Sequence, residues 1–305
     1  MPGPPPSGHV LAIFGPTGVG KTDLALAVAD RLREAGRNPV AVSADALQVY
    51  AGLETLTGVP TREERARLDH RLVAFLPVDA RFSAGEYAQL AHAEIDGLVD
   101  HGATPIVVGG TGLYLRAALA DLALKPPPPD ELRARLTREL SERGAPALHA
   151  HLAARAPWAA EPIDPNDAQR VVRALELLEL GELEPPDDRA GPSQLWTADT
   201  RHPTRLVALT MDRDALYARI EERVDAMVAA GAVEEVRAAH AAGASDTARK
   251  ALGFDELLAG DVEAMKRRTR NYARRQLTWM RKLAGVEVVD VTGRSPEDVA
   301  AGLLG

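Results

Sequence analysis

The sequence predicts an α/β protein: a parallel sheet with flanking helices and an inserted all-helical domain. Over roughly the first 120 residues, short apolar runs alternate with longer amphipathic stretches, as expected for parallel strands joined by crossover helices. A glycine-rich loop follows the first apolar run directly, and a long stretch without any strand-like run later interrupts the alternation. These observations together indicate a sheet that carries a ligand site and a helical insertion.

The first element is a strand over Val10 to Phe14, followed by the loop Gly15-Pro16-Thr17-Gly18-Val19-Gly20-Lys21-Thr22. Apolar residues at helical spacing come next, so the order is strand, glycine turn and helix start. In such a loop backbone N–H groups surround an anion, Lys21 reaches the outer phosphates and the Thr22 hydroxyl can bind Mg²⁺. The core is therefore predicted to be P-loop NTPase-like. The loop leaves open whether the phosphate is transferred, hydrolysed or released as a leaving group.

Later strands are predicted at Val40 to Ser43, Pro105 to Val108, Arg205 to Leu209 and Val286 to Val291. Ligands in sheets of this type bind beyond the carboxyl ends of the strands. The segments Asp45 to Gln48 and Gly109 to Thr111 follow two of these strands, so we expect them to line the site beside the glycine-rich loop.

Proline-rich stretches divide the chain. Pro126 to Pro129 ends the alternating pattern, residues 130–183 show only helical patterns, and a polar, proline-rich stretch runs from Pro185 to Pro203. We predict a disordered tail over residues 1–8, a discontinuous core over 9–124 and 204–305, and a helical insertion over 125–203.

The amino-acid composition limits the classes of protein to which this chain can belong. With 305 residues the chain is long enough for two lobes. The absence of cysteine excludes disulfides, thiolate metal ligands and a cysteine nucleophile. No apolar run approaches the ~18 residues of a membrane span, and the N-terminus does not resemble a signal peptide. We therefore expect a cytoplasmic protein without a membrane partner.

Charge is distributed unevenly. The net charge of −8 argues against a nucleic-acid partner, yet residues 266–282 contain eight basic residues and no acidic one. At 100° per residue, four arginines of this helix share one face opposite an apolar arc: Arg267, Arg270, Arg274 and Arg281. We call this face the basic stripe. It is predicted to bind a phosphate backbone, the alternative being a merely solvated surface.

Asp45 has two possible roles. A carboxylate beside a phosphate loop can bind Mg²⁺ through water or accept a proton from an attacking group, and it can also simply cap a helix. The strand ending at Val108 is followed by Gly109-Gly110-Thr111 and lacks the metal-binding aspartate of ATPases and GTPases. This argues against an ordinary motor or switch.

The insertion contains a helix-start pattern, Asp164-Pro165-Asn166-Asp167, with Asp164 as the expected N-cap. On the following helix, Gln169, Arg170 and Arg173 project from a face other than the apolar one. A binding face and a solvated face are equally open on the residues alone.

Five blocks in order resemble the bacterial tRNA dimethylallyltransferase family: Gly15 to Thr22, Ser43 to Tyr50, Gly109 to Tyr114, Asp164 to Glu176 and Thr269 to Trp279. The resemblance extends from about residue 10 to residue 290. Members of that family transfer a dimethylallyl group from dimethylallyl diphosphate to the N6 amine of the adenosine 3′ of the anticodon. The resemblance implies that the protein uses Mg²⁺ as cofactor, binds a tRNA anticodon stem-loop as partner, and is a monomer.

The resemblance also implies roles for particular residues. Diphosphate is the leaving group, held by the glycine-rich loop and by Mg²⁺ on Thr22. Asp45 takes a proton from the adenosine amine or orients it, Arg223 contacts the diphosphate, and Thr111 lies near the reacting base. The implied tRNA contacts are Asp45, Ala46, Leu47, Gln48, Thr111, Arg133, Gln169, Arg170, Val171, Val172, Arg173, Lys250, Ala251, Leu252, Gly253, Phe254 and Asp255, with Arg270 and Arg274 from the basic stripe.

Two alternatives remain at this stage. A small-molecule or nucleotide kinase shares the loop and the following carboxylate, but leaves the basic stripe unexplained. An RNA-binding module with a vestigial loop does not explain the intact Lys21-Thr22 pair. Val59, Ala74 and Phe82 depart from the residues expected in the family, although none lies in the loop or at Asp45.

Overall fold

The computed structural model describes residues 8–185 and 194–304. Residues 8–123 and 194–304 form one compact unit, the sheet unit, and residues 124–185 form the other, the helical unit. The predicted tail lies outside the described residues apart from Gly8, and so does much of the polar stretch that closes the insertion.

The sheet unit contains six parallel strands in the order β3-β2-β4-β1-β5-β6. Their bounds are β1 (Val10–Phe14), β2 (Pro39–Ser43), β3 (His70–Arg71), β4 (Thr104–Gly109), β5 (Thr204–Thr210) and β6 (Val286–Asp290). Phe14 pairs with Gly109, and Ser43 pairs with Val108. Because the register aligns the ends of β1, β2 and β4, the loops that follow these strands meet at one edge, as the predicted P-loop NTPase-like α/β fold requires.

The helices are α1 (Lys21–Glu34), α2 (Glu54–Thr57), α3 (Arg62–Arg67), α4 (Ala84–Asp100), α5 (Gly112–Leu119), α6 (Asp130–Arg143), α7 (Ala145–Arg155), α8 (Pro157–Ala160), α9 (Ala168–Glu179), α10 (Arg213–Ala229), α11 (Ala232–Ala241), α12 (Phe254–Leu258), α13 (Val262–Met280) and α14 (Pro296–Leu304). In the described ranges, none of them is long and apolar enough to cross a bilayer.

Apolar clusters among the described residues hold the sheet unit together. Every residue of β1 is buried, as expected for a central strand with both faces covered. The apolar face of α1, including Leu24 and Leu32, packs with Ile13 and with Leu303 of α14. A second cluster gathers Tyr50, Phe254 and other residues from the loop after β2 and from α10 to α13. Residues between Ser43 and α3 are therefore anchored to the C-terminal helices.

The helical unit has its own core, in which Leu136, Leu152 and Leu175 are buried. Its last helix begins later than the sequence indicates. Asp164 accepts the N–H of Asn166 at 2.8 Å in a local turn, and Asp167 is the N-cap, accepting the N–H of Arg170. The prediction that Asp164 caps this helix is wrong, because the first aspartate closes a turn.

Residues 194–203 belong to the sheet unit, so the insertion ends before the boundary at residue 203 drawn from the sequence. The buried guanidinium of Arg116 in α5 donates to the carbonyls of Gln194 and Asp199, at 2.8 and 2.9 Å. The rings of Trp196 and Trp279 pack with their centroids 4.7 Å apart. The proline-rich, polar composition shows where the helical pattern ends. It does not show that residues 194–203 pack in the sheet unit.

Candidate active site

The glycine-rich loop joins β1 to α1 in the predicted order. Gly18 and Gly20 have φ of 82° and 96°, a left-handed conformation that side chains other than glycine rarely adopt. Gly20 is the N-cap of α1 and offers no side chain to its first turn. The free N–H groups at the start of α1 therefore border the loop, together with the positive end of the helix dipole. This is a geometry that binds phosphate groups.

Lys21 lies at the centre of this site. Its Nζ donates to the carbonyls of Gly15 and Pro16, at 3.0 and 2.9 Å. Burial and the nearby positive charge of Arg223 lower the pKa of Lys21 to about 8, while the charge of Asp45 acts in the opposite direction. A bound polyanion stabilises the ammonium form and raises this pKa again.

The pKa of Lys21 predicts a proton linkage. As the pH rises through about 8, the free protein loses the Lys21 proton, so the affinity for inorganic diphosphate falls and its binding takes up a proton. Calorimetry near pH 9, in two buffers of different ionisation enthalpy, measures this uptake. Lys21→Arg keeps its charge at that pH and is expected to take up less. Equal uptake by both proteins would contradict the assignment.

Asp45 follows β2 and is half-buried. Its Oδ1 accepts the N–H of Leu47 at 2.9 Å, and this carboxylate makes no other hydrogen bond among the described residues. A turn follows rather than a helix, so Asp45 is not a helix cap. Gly109 at the end of β4 lies against the backbone of Ala44, with no room for a Cβ. The close packing of these two backbones holds Asp45 beside the β4 turn.

Gln48, a predicted tRNA contact, uses its side chain within the protein. It accepts the Ser43 hydroxyl at 2.8 Å and donates to the carbonyl of Gly58 at 2.9 Å. Its amide thereby connects the turn that contains Asp45 to the end of α2 and stabilises the conformation of that turn.

Arg223 of α10 is a second cation in the site. Its guanidinium lies against Gly58, where a Cβ would collide with it. Burial lowers the pKa of Arg223, and the charge of Asp45 is the largest opposing influence. Arg223 forms no hydrogen bond or ion pair within residues 8–185 and 194–304. The charges of Lys21, Arg223 and Asp45 therefore influence one another. The two cations, Lys21 and Arg223, are available to bind an anion.

Thr111 follows the β4 turn and is the N-cap residue of α5. Its Oγ1 lies 3.2 Å from the Tyr272 hydroxyl of α13. Burial, with the nearby charge of Asp45, raises the pKa of Tyr272 to about 12, so the phenol is neutral and can donate a hydrogen bond. Helical periodicity places Tyr272 on the apolar arc of this helix, but it gives no indication of what the hydroxyl contacts.

Gln276, one turn further along α13, is also at the site. Its Oε1 accepts the N–H of Thr17 at 2.9 Å, and its Nε2 donates to the carbonyl of Gly110 at 2.8 Å. Sequence reasoning gave it no role, although it lies within the Thr269 to Trp279 block. A polar residue on the apolar face of an amphipathic helix was the available signal.

The predicted tRNA contacts of the helical unit differ in what they can offer. Gln169 and Arg170 are exposed, and Val172 is half-buried. Arg133 and Arg173 both bond the carboxylate of Glu176, which is 1% exposed. The side chain of Val171 is fully buried, so a contact of this residue with RNA would have to use its backbone.

The segment Lys250 to Asp255 is similarly mixed. The side chains of Ala251 and Phe254 are buried in the second apolar cluster, and Gly253 is buried beside Met265. Lys250 and Asp255 are exposed, and Leu252 is half-buried. Any tRNA contact at the buried positions would therefore have to use backbone atoms, and all of the assigned tRNA contacts stay predictions.

The basic stripe is partly neutralised, because two of its four arginines, Arg267 and Arg270, form ion pairs with carboxylates. Four basic residues in the first half of α13 pair with carboxylates, through the ion pairs Lys266–Asp225, Arg267–Asp261, Arg268–Glu256 and Arg270–Glu221. Four residues in the second half of α13 or just after it form no ion pair in the part of the chain that the structure describes: Arg274, Arg275, Arg281 and Lys282. We call these the free basic end.

Fold and site define a P-loop-type α/β protein in which a carboxylate and two cations adjoin the phosphate loop. The chain belongs to the IPP transferase family, whose model matches residues 48–283. It is 41% identical to the tRNA dimethylallyltransferase of Thermobifida fusca over 286 residues, covering 90% of this chain and 87% of that one. The corresponding enzyme of Anaeromyxobacter dehalogenans is 42% identical over 292 residues, with coverage of 91% and 93%.

Solved structures agree with this membership. The tRNA isopentenylpyrophosphate transferase of Bacillus halodurans superposes with a TM-score of 0.69 at 31% identity, covering 97% of this chain and 94% of its own. A eukaryotic dimethylallyltransferase acting on tRNA gives 0.73 at 22% identity, covering 97% and 77%, which supports the fold. These relatives favour a prenyltransferase over the kinase alternative.

Proposed function

We propose that this protein transfers a dimethylallyl group from dimethylallyl diphosphate to the N6 amine of the adenosine 3′ of the anticodon in tRNA, releasing diphosphate. The observation that supports this most is the arrangement of Asp45 beside Lys21 and Arg223 at the phosphate loop. It supplies a proton acceptor next to an anion site, as a transfer with a diphosphate leaving group needs.

In the proposed reaction the adenosine nitrogen forms a bond to C1 of the dimethylallyl group while the C1–oxygen bond to diphosphate breaks. The loop N–H groups, Lys21 and Arg223 stabilise the negative charge that develops on the departing diphosphate. Asp45 accepts the proton that the amine loses. Thr111, bonded to the neutral Tyr272 hydroxyl, lies near the base and helps to orient it.

Mg²⁺ is proposed as the cofactor. The described residues contain no cluster of three or more His, Asp or Glu side chains able to hold a metal by themselves. Mg²⁺ nevertheless fits, because it usually takes one or two protein oxygens and completes its shell with water and substrate phosphates. Thr22 would supply its hydroxyl and Asp45 would contribute through water. The ion would neutralise charge on the leaving diphosphate.

The tRNA partner is proposed to use two surfaces. The free basic end of α13 offers positive charge for phosphates. In the helical unit, the exposed Gln169 and Arg170 are polar groups that can contact RNA. The target base must leave its stack, which is easier in an anticodon loop than in a duplex.

Since the loop, Asp45, Thr111 and Arg223 all lie in one unit of one chain, we propose that the protein is a monomer. We propose that it acts in the cytoplasm, where tRNA is found.

The test is mass spectrometry of an anticodon stem-loop with adenosine 3′ of the anticodon, incubated with the protein, Mg²⁺ and dimethylallyl diphosphate. We expect the RNA to gain one dimethylallyl group, and none when that adenosine is replaced by guanosine. A parallel tube receives ATP in place of dimethylallyl diphosphate. Phosphate transfer from ATP without prenylation in the first tube would overturn the proposal in favour of a kinase.

A further inference from the structure

A polar side chain lies in the buried face of α13, where packing alone favours an apolar one. Gln276 is 4% exposed, and its neighbours on this face are Met265, Ala273 and Met280. A buried amide destabilises a fold unless both of its polar ends are hydrogen-bonded. Gln276 meets this condition with two bonds, to Thr17 and Gly110, that reach far along the chain.

The first bond fixes the phosphate loop. The N–H of Thr17 points to Gln276 Oε1 at 2.9 Å, near the middle of the loop that precedes α1. A glycine-rich loop has many accessible conformations, and one external bond removes much of that freedom. Loop N–H groups can stabilise a departing diphosphate only if they are already aimed at it. Gln276 is positioned to supply this order.

The second bond fixes the turn that precedes Thr111. Gln276 Nε2 donates to the carbonyl of Gly110 at 2.8 Å. A Cβ on Gly110 would collide with this nitrogen and would lie 3.4 Å from Lys21 Nζ. The amide therefore sits between the phosphate loop and the β4 turn, close to the lysine. One turn earlier on α13, Tyr272 reaches Thr111.

We propose that Gln276 is a positioning residue for the transfer reaction: it holds the diphosphate loop and the Thr111 turn in a fixed relation by bonding both. The inference rests on the proposed function, because the loop and Thr111 are taken to bind the two reacting partners. Gln276 touches neither substrate and acts through the groups that do. Misplacement of such groups by about 1 Å can cost about 100-fold in rate.

The test compares Gln276→Met with Thr269→Val. Methionine keeps the volume of glutamine and loses both bonds. Thr269 lies on the same helix, is 6% exposed and bonds the carbonyl of Met265 in its own helix, so its valine variant controls for loss of a buried polar group. For each protein we would measure kcat and both KM values at 25 °C, the affinity for inorganic diphosphate, and the hydrogen exchange of the loop amides.

Gln276→Met is expected to lower kcat by about 10- to 100-fold, to weaken diphosphate binding, and to speed exchange of the Thr17 amide, with the KM for RNA unchanged. Thr269→Val should behave as the wild type in all four. Gln276→Glu keeps an acceptor for Thr17 and should retain slow exchange there, with a kcat above that of the methionine variant. If the methionine variant does not fold, the glutamate variant carries the test, because loss of the Gly110 bond should still lower its kcat below that of the wild type.

Wild-type kcat, diphosphate affinity and Thr17 amide exchange in folded Gln276→Met would overturn the positioning role and leave a packing role. If that variant does not fold, wild-type kcat and diphosphate affinity in Gln276→Glu would overturn it. A lower melting temperature with these three readouts unchanged would overturn it in the same way. Diphosphate affinity and amide exchange need no prenyl transfer. They therefore test Gln276 even if the wild type fails to prenylate RNA, an outcome that contradicts the proposed function alone.

Discussion

Asp45→Asn is expected to lower kcat for dimethylallyl transfer by about 10²- to 10⁴-fold. Asparagine is nearly isosteric and can still accept the Leu47 N–H, so the turn after β2 is kept. It cannot accept a proton from the adenosine amine. Loss of the negative charge beside Lys21 and Arg223 should leave the affinity for diphosphate equal or tighter. Single-turnover transfer and calorimetry with inorganic diphosphate measure the two quantities separately.

Asp30→Asn is the matched control, because Asp30 pairs with Arg33 and Arg67 in exposed surface ion pairs. Exposed pairs contribute little, so this variant should keep its rate within about twofold. A kcat for Asp45→Asn within threefold of the wild-type value would contradict the role of Asp45 as the base. Lost diphosphate affinity in that variant would instead indicate that Asp45 acts mainly in anion or metal binding.

Arg274→Gln combined with Arg281→Gln should weaken tRNA binding and reduce the slope of log K against log salt by about 2, one for each lost phosphate contact. The two residues are seven apart on or just after α13, so they share a face. Neither forms an ion pair in residues 8–185 and 194–304. The affinity loss should be largest at low salt and shrink as salt rises, which filter binding or fluorescence anisotropy would measure.

Arg33→Gln with Arg67→Gln removes the same charge from the distal end of α1, where both arginines contact Asp30. This control should leave the salt slope unchanged. If both double variants lower the affinity equally, the effect reflects net charge and the free basic end is not a binding surface. A single Arg270→Gln change, which also leaves Glu221 without its partner, should affect RNA binding less than Arg274→Gln.

Local sequence patterns were enough for the class of fold and for the phosphate site. The loop from Gly15 to Thr22, its position between an apolar run and a helix, and the residues after the strands are all features of neighbouring positions in the chain. The edge strand β3 escaped detection because its two residues, His70 and Arg71, are polar and join the sheet through pairing with β2. Short edge strands carry little apolar pattern of their own.

Tertiary structure decided which polar groups are available. Sequence showed eight basic residues near the end of the chain, but Lys266, Arg268 and Arg270 pair with carboxylates that other helices supply. The free charge is therefore confined to the C-terminal end of α13 and the residues just after it. The tertiary structure also brings Gln276 to Thr17, to which it is hydrogen-bonded although 259 positions separate the two residues. Periodicity reports the face on which a residue lies, while the partner on that face depends on how distant segments pack. The sequence by itself therefore determined the chemistry of the loop, and the folded chain determined which side chains hold it in place.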